Sequence, residues 1–191
     1  MNFKVMKIVL IIVFLPALIF SQPSINIGVK LDAFVLHTEK LETVINYNNK
    51  YTSFAPRAGY LFMKGTLNKK ARIDADLRLG YLDANDYSGF ELGIFLDKYF
   101  LKNMYFQFGF NIHFNREEIT RNDILDKSHS KPINFLSAGI GLDFTKHIFT
   151  ELIFDYALNN EYGISTPFDQ KYSAKTKNIF NIFRIGFGYK I

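Results

Sequence analysis

Ala71-Arg72-Ile73-Asp74-Ala75-Asp76-Leu77-Arg78-Leu79-Gly80-Tyr81 is the stretch that decides how this chain folds. Its odd-numbered residues are all apolar or tyrosine, and its even-numbered residues are all charged or glycine. Successive side chains of a β-strand point to opposite faces, so a period of two predicts a strand with unlike faces. The same alternation runs outward in both directions. Upstream, Ile25, Ile27, Val29, Leu31, Ala33 and Val35 alternate with Asn26, Gly28, Lys30, Asp32 and Phe34, and Phe54, Pro56, Ala58, Tyr60 and Phe62 follow. Downstream come Phe90–Leu96, Phe106–Phe114, Leu136–Phe144, Thr150–Leu158 and Phe183–Ile191. That makes eight predicted strands, an even number, and no long window carries a helical period.

The apolar phase of these segments holds 41 positions, of which only Thr150 is neither apolar nor tyrosine. The opposite phase carries 14 charges and nine of the 12 glycines: Gly28, Gly59, Gly80, Gly93, Gly109, Gly139, Gly141, Gly186 and Gly188. Alternation alone does not say which face is inside. A soluble sandwich or lipocalin-type barrel would hide the apolar phase, and a membrane barrel would hide the charged one. Glycine on a solvent face only weakens a strand. Inside a narrow barrel it makes room for an arginine from across the lumen. The expected fold is therefore all-β: a closed eight-stranded antiparallel up-and-down transmembrane β-barrel, charged phase inward and apolar phase against lipid.

The connections fit that layout. His37–Thr52, Asn115–Asn134 and Asn159–Lys177 are long, and Asp83–Gly89 is moderate. Gly65–Lys70, Lys98–Asn103 and Thr145–His147 are short. Long loops on one side and short turns on the other describe an outer-membrane barrel with periplasmic termini. Aromatics rim the apolar band: Phe54, Tyr81, Phe90, Phe114 and Tyr156 at the loop side, Phe62, Phe106, Phe144 and Tyr189 at the turn side, with no tryptophan.

Met1–Lys7 carries two lysines, and Ile8–Phe20 is apolar apart from Pro16. These 13 residues fall short of the ~20 a spanning helix needs. Residues 1–21 read as a signal peptide cleaved after Ser21, and 22–191 as the barrel domain; an uncleaved anchor is the alternative. Composition excludes other classes. The 21 phenylalanines exclude an intrinsically disordered chain. Zero cysteines exclude a disulfide scaffold, a Cys-ligated metal and a lipoprotein. A formal charge of +5 over 191 residues is too diffuse to argue for nucleic acid.

The last segment, Phe183-x-Ile185-x-Phe187-x-Tyr189-x-Ile191, resembles the C-terminal strand signal read by the outer-membrane assembly machinery. With it, the whole mature chain resembles small eight-stranded outer-membrane β-barrel proteins of the OmpA/OmpX type, including the PorT-like branch. Members usually end on Phe, and this chain ends on Ile191. The resemblance implies export to the outer membrane of a Gram-negative bacterium, contact with its lipids, and passage through the barrel-assembly machinery. It brings no catalytic motif.

Eight strands enclose a space just wide enough for side chains. The inward phase offers a charge network of Arg57, Arg72, Asp74, Asp76, Arg78, Glu91, Glu151, Asp155 and Arg184. Unpaired buried charges are costly, so these residues should pair and brace the barrel; a narrow ion path is the alternative. Along Arg72, Asp74, Asp76 and Arg78, same-face residues recur every ~6.6 Å. Their partners are expected on other strands.

A Ser–His–acid enzyme would need a nucleophile and base within hydrogen-bond reach. His129 lies between Ser128 and Ser130, and adjacent side chains do not naturally meet that way. His37, His113 and His147 show no metal-ligand spacing. No phosphate loop or dinucleotide fingerprint is present, and no cofactor is implied. Lys64, Lys69, Lys70, Lys98, Lys102 and Lys146 crowd the turn-side rim, serving solubility or attracting anionic lipid. The expected function is a non-enzymatic envelope barrel, serving integrity or surface contact through its loops. The alternatives are a lipid-modifying enzyme on the same barrel and a secreted soluble barrel for an apolar ligand.

Overall fold

The computed structural model describes residues 25–42, 47–84, 87–115, 126–167 and 175–191, and side chains within 25–39, 58–84, 87–115, 131–161 and 178–191. The signal peptide predicted over residues 1–21 lies outside the described residues. Ten strands are described: β1 (Ile25–Glu42), β2 (Tyr47–Asn68), β3 (Ile73–Leu82), β4 (Gly89–Tyr99), β5 (Met104–Asn115), β6 (Asp126–Ser130), β7 (Ile133–Asp143), β8 (Ile148–Ala157), β9 (Glu161–Pro167) and β10 (Lys175–Lys190). Eight of them close a ring in the order β1-β2-β3-β4-β5-β7-β8-β10, sealed by antiparallel pairing of β1 with β10 from Gly28–Lys190 to Glu42–Lys175.

The ring inverts the distribution of a soluble protein. Leu31, Leu79, Phe90, Ile94, Phe108, Leu136, Phe154 and Phe187 stand exposed on the outside, while Lys30, Asp76, Arg78, Glu91, Glu151, Asp155 and Arg184 are buried inside. Water would favour the reverse, and a surface this apolar is stable only against lipid. Strands β3, β4, β5, β7 and β8 run 10 to 12 residues, close to the ~9–11 that cross a hydrocarbon core when tilted. The chain is a transmembrane β-barrel.

The face assignment holds on seven ring strands and inverts on β2. There Tyr60 is 6% exposed and Phe62 3%, both inside the lumen, while Leu61 between them is 61% exposed outside. The cause is a β-bulge. Asp32 pairs with Ala58, but Phe34 pairs with Ala55, so β2 spends three residues where β1 spends two. One extra residue reverses the facing of everything beyond it. Pro56 lies in the interval, where a residue without an N–H suits a broken ladder.

Two further corrections concern the loops. His37–Thr52, expected as a loop, is mostly strand, because β1 and β2 stay paired to Glu42 and Tyr47. The expected loops Asn115–Asn134 and Asn159–Lys177 contain β6 and β9. The N-terminal end of β10 pairs with β9, and β9 with β6, so a sheet ordered β2-β1-β10-β9-β6 rises from the loop side. β9 and β6 cover the backbone edge that β10 would otherwise present there.

Candidate functional site

The inside of the barrel is built in layers by inward positions on each strand. At the loop side, Phe34, Leu36, Leu82, Ile133, Phe135 and Ile182 join Ala84 and Tyr87 of the β3–β4 loop in a buried apolar layer. The loop is folded inward: Tyr87 N–H donates to the Ala84 carbonyl at 2.5 Å, and the Ser88 hydroxyl donates to Asp83 at 2.9 Å. The Tyr87 ring stacks on His113 at 3.9 Å between centroids. Phe34, Leu82 and Phe135 on the inward phase are the sequence signal for this layer, beside the more conspicuous charges and glycines.

Beneath it, Arg184 reaches from β10 to β4, its diametric opposite in the ring. Its two terminal nitrogens donate to Glu91 at 2.7 and 3.0 Å, and its Nε donates to Asp155 at 2.5 Å. A planar guanidinium fork suits this two-carboxylate grip. Glu91 also accepts from the Tyr60 hydroxyl and from Asn111 Nδ2 at 3.3 Å, and His113 Nδ1 lies 3.1 Å away. Ser137 donates to Asp155 at 2.6 Å.

The next layer centres on Glu151 of β8. Arg78 on β3, again diametrically opposite, donates to Glu151 at 2.9 Å and to Asp76 at 2.6 Å. Lys30 lies 2.9 Å from Glu151 and 3.2 Å from Asp32. Tyr105 donates to Glu151 at 2.7 Å, and Gln107 donates to Asp97 at 2.7 Å. Lys64 sits 2.6 Å from Asp97, with its ammonium over the Tyr105 ring at 4.0 Å. Asp76, Asp97 and Glu151 bring ligand oxygens within 4.8 Å of one another, a spacing a metal ion could use. The chain's own Lys30, Lys64 and Arg78 already hold them. Nearest the turns, Asp143 takes Lys190 at 2.6 Å and the Tyr99 hydroxyl at 3.0 Å.

Of the nine predicted network residues, the structure brings Asp76, Arg78 and Glu151 into one group and Glu91, Asp155 and Arg184 into another. Arg78 bonds Asp76 on its own strand, against expectation: the spacing of backbone positions understates the reach of a long side chain folded along the strand. Arg72 is not in the lumen. It occupies the β2–β3 turn at φ 54°, exposed, and donates to the carbonyls of Leu101 and Lys102 at 2.6 and 3.1 Å. The strand starts at Ile73, so the alternating pattern outran it by two residues. Asp74 is half-buried at the turn end of β3. The side chain of Arg57 lies outside the described residues, as do those of Ser128, His129 and Ser130. Lys64 is not a rim lysine: it is buried, as the inversion of β2 requires. Lys30, Asp32, Tyr60, Asp97, Tyr105 and Gln107 are among the residues that join the two groups and were not assigned to them from the sequence. Phe183, Ile185, Phe187, Tyr189 and Ile191 all face outward from the end of β10.

Glycines set how closely these layers pack. A Cβ on Gly80 would lie 2.1 Å from the Tyr60 ring, and one on Gly141 would lie 2.1 Å from the Tyr105 ring. The room expected for arginines is here taken by aromatic rings. A recess among the described residues, bounded by Lys30, Asp32, Tyr60, Arg78, Asp155 and Arg184, among others, measures about 10 Å³, near the minimum that admits one water.

Faces and interior together define the class: a small eight-stranded transmembrane β-barrel with a packed lumen. The sequence matches no family model and no curated protein. Among solved structures it is similar to outer membrane protein OprG of Pseudomonas aeruginosa, at 10% identity over 90% of this chain and 98% of that one, TM-score 0.46. It is similar to Neisserial surface protein A at 10% identity over 86% and 97%, TM-score 0.47. The N-terminal β-barrel domain of Pseudomonas aeruginosa OprF gives 9% identity over 84% and 97%, TM-score 0.42. At such scores these are likenesses of outline, and the class rests on the chain's own faces.

Proposed function

We propose that this chain is a non-enzymatic outer-membrane barrel of a Gram-negative bacterium, acting through its loop-side surface while its charge-filled lumen serves as a brace. The observation that carries this reading is the close packing of the described interior. Arg78 and Arg184 span the lumen to carboxylates on opposite strands, and the recess beside them is about 10 Å³. A hydrated ion needs more room than one water occupies. The sheet β2-β1-β10-β9-β6 gives the loop side a framework on which a surface partner could dock, and envelope integrity would follow from the braced body. Phe183, Ile185, Phe187, Tyr189 and Ile191, facing outward along β10, are suited to recognition by the barrel-assembly machinery. The folded barrel reconstituted in planar bilayers tests the reading. No stepwise conductance above the lipid background is expected, and discrete channel openings by the unaltered protein would overturn it.

A further inference from the structure

Charge is divided unevenly along the barrel axis. By sequence, the loop-side segments 36–57, 83–89, 115–134 and 157–182 hold ten basic and ten acidic residues. The turn-side rim differs: Lys69, Lys70, Arg72, Lys98, Lys102 and Lys146 are all exposed there. Among the described residues, the carboxylate side chains at this level, Asp74 and Asp143, are only part-exposed. Asp143, nearest the rim on the inward phase, is taken by Lys190 and Tyr99.

The rim is also stiffened. Arg72 donates to the carbonyls of Leu101 and Lys102, Tyr99 N–H donates to the Arg72 carbonyl at 3.0 Å, and Lys98 donates to the Ala71 carbonyl. Two neighbouring turns are thereby joined into one platform. Phe100, Leu101, Phe106 and Phe144 stand exposed at the same level, with Phe100 stacked on Phe106 at 4.5 Å. Cations bordering exposed aromatics at the edge of a lipid-facing band are placed where headgroups lie.

We propose that the turn-side rim is a binding collar for anionic phospholipid headgroups. Charge complementarity and continuity with the lipid-facing band select this occupant: a cation near an anionic bilayer surface gains ~1 kcal/mol, about fivefold in affinity. The collar rests on the transmembrane reading, and the test separates the two.

The chain has no tryptophan, so Phe100→Trp supplies a single reporter at the rim, and Phe114→Trp supplies one at the loop side. Each full-length variant is folded into mixed vesicles of phosphatidylglycerol and phosphatidylcholine with brominated chains on one lipid or the other. At position 100, brominated phosphatidylglycerol should quench as though enriched about fivefold or more over phosphatidylcholine. At position 114 the two should quench alike. Adding Lys70→Gln, Lys102→Gln and Lys146→Gln should at least halve the preference at position 100. Equal quenching there by both lipids, or a preference undiminished by the three substitutions, overturns the collar while leaving the barrel in the membrane. Quenching by neither lipid overturns both.

Discussion

Arg184 and Glu91 show what single side chains contribute. Their contact joins opposite strands, and both are buried. Replacing Arg184 with Met strands Glu91 and Asp155 in the lumen, at a cost of about 3–5 kcal/mol. Adding Glu91→Gln removes one of the stranded charges, so the double variant should lose less than the single one in urea unfolding from detergent. A single variant as stable as the parent would contradict the pairing. The glycines give a second comparison. Gly80→Ala pushes a methyl into the Tyr60 ring and the Gly59 carbonyl, and should cost about 1–3 kcal/mol by overpacking. Gly59→Ala meets only Leu31, at 3.7 Å, and should be nearly neutral in the same assay. At this scale the sequence displays which residue types share a face but not how far each reaches. Arg78 bonding Asp76 along its own strand was hidden for that reason, and so was the crossing from Lys30 to Glu151.

Strands were legible wherever the ladder is regular. β3, β4, β5, β7, β8 and β10 keep a single phase across the apolar band, and the pattern assigns their faces directly. β2 breaks the rule because its bulge lies within what looks like continuous alternation from Phe54 to Phe62. One shifted residue accounts for three misplacements together: Tyr60 and Phe62 inside, Lys64 buried on Asp97, and Gly59 outside. Pro56 was the visible warning. The consequence can be measured at Leu61. Arginine there faces lipid between Val29 and Leu79 and should cost about 2–4 kcal/mol in barrel stability. Without the bulge, Leu61→Arg would enter a lumen already rich in carboxylates and be tolerated. Strand β6 carries no apolar residue in Asp126–Ser130, and β9 offers only Tyr162 and Ile164 in Glu161–Pro167, too short an alternation for periodicity to detect.

For the whole molecule, closure was readable because even strand number, alternating connection lengths and glycine placement agree with one another. The direction of the faces required more than alternation, since a soluble barrel shares the same period. The structure settles it with apolar side chains outside and paired charges within, and adds an apolar layer under Tyr87 that charge counting passed over. The central claim is thus an outside that meets lipid and an inside filled by its own side chains. A chain without cysteine allows it to be tested one position at a time. Spin labels at Leu61→Cys, Met63→Cys, Leu77→Cys and Leu79→Cys in reconstituted barrels should collide strongly with oxygen and weakly with an aqueous nickel chelate. Labels at Tyr60→Cys and Phe62→Cys should be shielded from both reagents. Nickel accessibility at positions 60 and 62 would mean an open lumen, and nickel accessibility at 61, 63, 77 and 79 would mean that the apolar face meets water; either would contradict the account.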